Sequence, residues 1–404
     1  MTSQSTSDAV IYRTPAAARV FLSLLERIRV GHLVLVTPAG ERKVFGSPAA
    51  LPGATLQIHD WRSCSRILKN GDIGFADAYQ DGWLDTPDLT MLLQFAIRNE
   101  AVFPEAIGGK LISRLWYGLL HRLRVNSRAG SKRNIHAHYD IGNAFYAQWL
   151  DEGMGYSSAL FAGNHQKSLE LAQDDKYRHI VQSLGLRPGM RVLEIGCGWG
   201  GFALHAARRG IHVHGVTISQ AQCELAQKRI AEAGLDGLAK VELCDYRDID
   251  GQYDAVVSIE MFEAVGEKFW PGFGRILHHR LKPGARALLQ SITIDESRFE
   301  QYRRSSDFIR QSIFPGGMLP SPERLLKVGR SAGLEGHVTL RFGKDYAETL
   351  RHWRQAFEQH LSDIRRQGFD ERFIRTWRLY LAYCEAGFEE RRTDVVQFVF
   401  TRPE

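Results

Sequence analysis

From about residue 135 onward, apolar runs of strand length alternate with stretches of helix length. The runs are MRVLEIG (190–196), IHVHGVT (211–217), KVELCD (240–245), YDAVVSIE (253–260) and ARALLQSI (285–292). Such alternation predicts a doubly wound, parallel α/β sheet. Two later runs, HVTLRFG (337–343) and VVQFVFT (395–401), are expected to complete it. The texture before residue 105 differs. Short strand-like runs, HLVLVT (32–37) and ATLQIHD (54–60), are separated by Gly and Pro. Helical stretches at 17–29 and 88–97 flank them, which predicts a smaller N-terminal α+β domain without a recognisable catalytic motif.

Between these textures lies KLISRLWYGLLHRLR (110–124). Leu111, Ile112, Leu115, Trp116, Leu119, Leu120 and Leu123 recur at three- and four-residue spacing, one face of an amphipathic helix. NSRAGSKRN (126–134) breaks the pattern and reads as a linker. The expected organisation is therefore a first domain over 1–125, a linker over 126–134 and a second domain over 135–404.

Composition and charge sharpen this picture. A chain of 404 residues exceeds what one core usually organises. No run of about 18 apolar residues offers a membrane span. The start, MTSQSTSDAV, lacks the basic and apolar regions of a signal peptide, so a cytoplasmic location is expected. The five cysteines are scattered without a CxxC pair, which argues against disulfides and against any metal site, and they read as small buried hydrophobes. The net charge of +6 is uneven: Lys110, Arg114, Arg122, Arg124, Arg128, Lys132 and Arg133 crowd one stretch that holds no Asp or Glu. That stretch either docks on an anionic membrane surface or is the solvated face of an interdomain helix. Nucleic acid is not an expected partner.

The strongest local signal is VLEIGCGWGGFAL (192–204), a strand ending in glycines before a helix. Gly196, Gly198 and Gly200 permit a tight turn and close approach of a ligand to the backbone. The pattern satisfies both the dinucleotide template and the E-x-G-x-G loop that binds S-adenosylmethionine. A dinucleotide site needs an acid at the end of the second strand. Here that strand ends GVTIS (215–219), where Thr217, Ser219 and Gln222 offer neutral hydrogen bonds. The reading is therefore S-adenosylmethionine. At the end of the third strand, Asp245 could accept from an adenine amino group and Tyr246 could cover the base.

With these residues in hand, the sequence resembles the cyclopropane fatty acid synthases, including the mycolic acid cyclopropane synthases. The motifs that carry the resemblance are HAHYDIGNAFYAQWLD (136–151), GYSSALF (155–161), VLEIGCGWGG (192–201), GVTIS (215–219) with Gln222, CDYRD (244–248), EMFEAVG (260–266), FPGGMLPS (314–321) and FGKDYAETLRHW (342–353). The resemblance implies a class I, Rossmann-like methyltransferase acting on the cis double bond of a membrane phospholipid acyl chain. The π electrons take the sulfonium methyl, a base removes a proton from the resulting cation, and a cyclopropane closes. The family's base is a bound bicarbonate. By motif position its contacts are Glu263, Tyr346, Gln290, Ser158 and the backbone of Ile292, while Tyr156 and Ser157 reach the methionine end of the cofactor. Ile218 and Ile259 flank the same cofactor site. Three positions depart from the pattern: Ser158 replaces a common Cys, and Gln290 and Ala264 each replace a common His. Gln can donate to an anion but cannot carry a proton as His can, so the fate of the cation is open. A methyl-branched or methylene-bearing chain is the alternative product, and a soluble small molecule the alternative substrate. A homodimer is compatible with all of these readings.

Overall fold

The computed structural model describes residues 14–102 and 141–404. The basic segment 110–134 and the first five residues of the HAHYD motif lie outside the described residues. The chain divides into two compact units, one within the first 114 residues and one in the remainder.

The first unit holds a four-stranded sheet of β1 (His32–Val36), β2 (Arg42–Gly46), β3 (Gly53–Ile58) and β4 (Leu84–Asp85), in the order β2-β1-β3-β4. β1 pairs parallel with β3, and the other pairings are antiparallel. Alternate residues Leu33, Leu35, Ala54, Leu56 and Ile58 are buried, the period-2 pattern of strands with one covered face. Helices Ala16–Leu25 and Leu89–Arg98 match the expected ones. Asp88 caps the second by accepting from Met91 N. Helix Arg62–Gln80 was not foreseen. Its sequence, RSCSRILKNGDIGFADAYQ, is interrupted at Gly71, whose φ of 61° kinks the helix.

The second unit carries the parallel sheet. Its strands are β5 (Arg191–Ile195), β6 (His212–Thr217), β7 (Ala239–Leu243), β8 (Tyr253–Ile259), β9 (Leu281–Ile294), β10 (Glu335–Arg341) and β11 (Thr393–Thr401). The order is β10-β11-β9-β8-β5-β6-β7. β5 to β9 run parallel, whereas β11 pairs antiparallel with both β9 and β10. All seven expected strands are present, and the last two form an antiparallel flank. Their apolar runs are continuous because both faces are buried. Val192, Val213, Val241, Val257 and Leu288 enter one apolar core, and Leu193, Val216, Val256, Leu289 and Phe398 the other. The strand order reverses at β5, whose neighbours are β6 on one side and β8 on the other. In open α/β sheets ligands bind beyond the carboxyl ends of strands at such a switch point. The glycine loop leaves β5 there.

Candidate active site

The glycine loop has the backbone that its sequence requires. Gly196, Gly198 and Gly200 have φ of 82°, 51° and 82°, the left-handed region that side chains disfavour. Gly196 and Cys197 both donate to Val216 O, at 3.0 and 3.1 Å, which ties the turn to the end of β6. Trp199 Nε1 donates to Asn143 Oδ1 at 2.7 Å, and Arg229 donates to Trp199 O at 2.8 Å. A methyl group built on Gly196 would stand 2.7 Å from Met261 Cγ, and one on Gly201 would stand 2.5 Å from the Tyr177 hydroxyl. One on Gly198 would meet nothing within 4 Å, so the loop opens onto free space at that residue.

The other cofactor candidates lie on β5 and at or just after the ends of β6, β7 and β8. Glu194 is buried, and its Oε2 has no hydrogen-bond partner. An orphaned buried acceptor beside an open glycine turn fits a ligand that brings its own N–H or O–H donors, as the amino acid end and ribose of S-adenosylmethionine do. Thr217 and Gln222 are bonded to each other at 2.9 Å, and Ser219 caps helix Gln220–Glu232 by accepting from Gln222 N. Ile218 and Ile259 are half-buried at the ends of β6 and β8. Asp245 is held by Arg247 through the backbone N–H (3.0 Å) and two guanidinium nitrogens (2.8 and 2.5 Å). Tyr246 packs edge-on against Phe273, and burial pushes its hydroxyl up to about 12.

Tyr156 and Ser157 lie on the segment after the Asp151 turn, where Asp151 accepts from Gly153 N and Gly155 N. Ser157 Oγ accepts from Lys176 Nζ at 2.6 Å. Lys176 is fully buried, and desolvation lowers its ammonium to about 8 despite the nearby charges of Glu260, Asp151 and Glu194. Tyr156 donates to or accepts from Tyr380 at 2.9 Å and packs on Tyr146, Trp149 and Trp353. Trp353 also touches Tyr346, so one indole joins the two motif tyrosines.

Two buried carboxylates, close enough to interact, follow the end of β8. Glu263, on the short helical turn Phe262–Ala264, accepts from Ile292 N at 2.5 Å and Ser291 Oγ at 3.0 Å, while its Oε2 has no partner. Burial first, and the Glu260 charge second, push its carboxyl up to about 8. The FPGGMLPS motif braces this turn, with Met318 N donating to Glu263 O at 2.9 Å. Glu260 was not among the expected site residues. Its Oε1 accepts from Ser158 N at 2.9 Å and from Gln290 Nε2 at 2.7 Å, and the Tyr346 hydroxyl lies near the same carboxylate. Its φ of 50° is left-handed, a strain of about 1–2 kcal/mol for a residue with a side chain. Burial pushes its carboxyl up, while the Lys176 charge, Gln290, Ser158 and Tyr346 pull it back toward ionisation.

Gln290 is itself held in place. Gln397 Nε2 donates to Gln290 Oε1 at 3.0 Å, and Gln397 Oε1 lies 2.8 Å from His179 Nδ1. Gln290 and Gln397 are register partners on β9 and β11, both buried. The pairing leaves the Gln290 amine facing Glu260.

This geometry bears on one expectation. Ser158 N, Gln290 Nε2, Tyr346 and Ile292 N were matched to a bound bicarbonate. In the structure the first three serve Glu260 and the fourth serves Glu263. The residues present do not fit a bicarbonate at that place, because a protein carboxylate already fills it. The sequence signal for this was available in EMFE, two acids three residues apart at the end of a buried strand. Lys176 also had a signal, since it falls on the same helical stripe as Leu169, Ala172 and Ile180.

The description of the matching family model is mycolic acid cyclopropane synthetase, and it covers residues 126–398. The chain is 38% identical over 407 residues to the tuberculostearic acid methyltransferase UfaA1 of Mycobacterium tuberculosis, covering 96% of this chain and 92% of that protein. It is 35% identical to the cyclopropane-fatty-acyl-phospholipid synthase of Escherichia coli, covering 83% and 85%. The solved structure of the mycolic acid cyclopropane synthase CmaA1, complexed with SAH and CTAB, aligns with a TM-score of 0.61 at 29% identity, over 67% of this chain and 98% of that one.

Proposed function

Because the chain belongs to the mycolic acid cyclopropane synthetase family, and is an S-adenosylmethionine-dependent methyltransferase of that type, we propose that it methylates the double bond of an unsaturated fatty acyl chain in a membrane phospholipid, giving a cyclopropane. The observation that carries this reading is the pair Glu260 and Glu263, set at the end of β8 next to the glycine loop and joined through Tyr346 and Trp353 to an aromatic cluster. When bound, S-adenosylmethionine supplies an electrophilic methyl group. The glycine loop, Glu194, Thr217, Gln222, Asp245 and Tyr246 are assigned to hold it, with Tyr156 and Ser157 at its methionine end. The protein's task is then to shelter a cation. Tyr156, Tyr346, Trp353 and Tyr380 provide ring faces that favour positive charge and exclude water. The Glu260–Glu263 pair supplies negative charge and proton acceptance close by.

A second product has an observation in its favour. The relative that spans 96% of this chain is named for methylating a fatty acid, not for a cyclopropane. Loss of the proton after a hydride shift would leave a methylene branch on the open chain in place of a ring. Among the described residues no helix is long and apolar enough to cross a membrane. Access to a bilayer substrate is assigned to the basic segment 110–134, whose sequence pairs an apolar stripe with cationic side chains.

The test is incubation with methyl-labelled S-adenosylmethionine and vesicles of unsaturated phospholipid, followed by extraction and mass spectrometry of the acyl chains. The expected result is label in acyl chains enlarged by one carbon. Label confined to the head group or to a water-soluble product would refute the reading. Mild hydrogenation separates the two products, since a methylene takes up hydrogen while a saturated ring survives.

A further inference from the structure

We propose that Glu260 is the proton acceptor of this enzyme, a base built into the chain at the place where the family's anion would bind, so that turnover needs no dissolved bicarbonate. Groups from three separate elements converge on one side chain: Ser158 N from the loop after Gly155 and Gln290 Nε2 from β9 donate to it, and the Tyr346 hydroxyl from helix Gly343–Gln359 lies near it. A carboxylate has about four acceptor positions, so these donors hold the group in register and leave room for one incoming proton. Glu260 N also donates to Gln290 O at 2.8 Å, which pins backbone and side chain to the same partner. The position lies next to the glycine loop, since the following residue, Met261, stands against Gly196. Glu263 stands beside it with Oε1 fully engaged. Two acids this close divide one role between them: the Lys176 charge favours ionisation at Glu260, and the Glu260 charge in turn favours the proton on Glu263.

The step balances without any further reactant. The C–S pair of the sulfonium stays with sulfur, and the π pair of the alkene forms the new C–C bond. A C–H bond of the new methyl then breaks. Its electron pair closes the ring, or forms a methylene double bond after the hydride shift, and its proton goes to a Glu260 oxygen and on to solvent.

This inference rests on the lipid-methylation reading, and the two fail separately. The experiment compares parent, Glu260→Gln and Glu260→Gly in buffer stripped of carbon dioxide and in buffer with added bicarbonate. S-adenosylhomocysteine affinity serves as the check on folding. Glycine accepts the left-handed backbone at residue 260, so Glu260→Gly relieves strain while emptying the site. The parent rate should be the same in both buffers. Glu260→Gln should lose on the order of 100-fold or more in turnover with cofactor affinity kept. Glu260→Gly should regain rate, saturably, with bicarbonate or formate. Calorimetry of the S-adenosylhomocysteine complexes gives a readout independent of turnover: bicarbonate should bind Glu260→Gly and not the parent. A parent rate that collapses without bicarbonate, or bicarbonate binding to the parent, overturns the role of Glu260 and leaves lipid methylation standing. So does a Glu260→Gln enzyme as fast as the parent. If the parent methylates no lipid in either buffer, the functional reading falls, and the calorimetry still decides whether Glu260 fills the anion site.

Discussion

Single residues in this site act through conformation as much as through contact. Gly198 has a φ of 51° and open space where a side chain would project. Gly198→Ala should therefore cost about 1–2 kcal/mol of stability from backbone strain alone, leaving the protein folded. Its methyl would enter the space assigned to the cofactor, so S-adenosylhomocysteine affinity should fall by at least tenfold. Calorimetry alongside thermal unfolding checks this, and full affinity in a folded Gly198→Ala protein would remove the loop from the cofactor site. Glu263 makes a prediction about pH. Its carboxyl rises from about 4.5 in an open chain to about 8 in the fold, so the folded form holds the proton more tightly. The stabilisation from that group is complete below about pH 4.5 and is lost as the pH climbs toward 8. The parent should lose thermal stability over this range relative to Glu263→Gln, which cannot ionise. Parallel stability curves for the two proteins between pH 5 and 8 would contradict the assignment. Glu260, by contrast, left only the pairing of two acids in EMFE as a trace in the sequence. Its importance depends on a left-handed backbone and on groups that lie 30, 86 and 102 residues away in the chain, at Gln290, Tyr346 and Ser158.

At the level of elements, legibility followed burial. β5, β6, β8 and β9 were readable because both faces of the sheet are covered, which makes each run apolar throughout. Helix Arg62–Gln80 was not readable, because Gly71 and its surrounding polar residues break the apolar stripe that marks a helix. The polar Gln397 inside VVQFVF carried a signal of its own, since a lone amide in a fully buried strand must find a partner. The basic segment 110–134 is an element for which only the sequence speaks. The apolar stripe of 110–124 and its four cationic side chains suit an interfacial helix, with three more cations in the linker beyond it, and each Lys or Arg at an anionic surface contributes on the order of 1 kcal/mol. Replacing Arg114, Arg122 and Arg124 with Gln should weaken sedimentation with anionic vesicles and reduce its salt sensitivity, with thermal stability unchanged. If the triple variant sediments as the parent does at low salt, the membrane contact lies elsewhere.

On the scale of the whole second unit, the sheet order decides which distant residues meet. Insertion of β11 between β9 and β10 brings Gln397 beside Gln290, and the helix Leu169–Leu184 brings His179 to the far end of the same line. The reading of this domain as a doubly wound methyltransferase was legible from its run of strands and its glycine loop. The line from His179 to Glu260 was not, because it depends on strand neighbours that are not adjacent in sequence. That line also has a polarity. An imidazole N–H points at a carbonyl, the amine of that same amide points at a second carbonyl, and the second amine points at the carboxylate. The groups are dipoles in series, head to tail, each presenting its positive end toward Glu260. A direction shared in this way is set at either end and cannot be reversed at one member alone. Placing an acceptor-only group at residue 397 would turn the Gln290 amide around and present a carbonyl oxygen to Glu260, switching the local field from attraction to repulsion without touching the carboxylate itself.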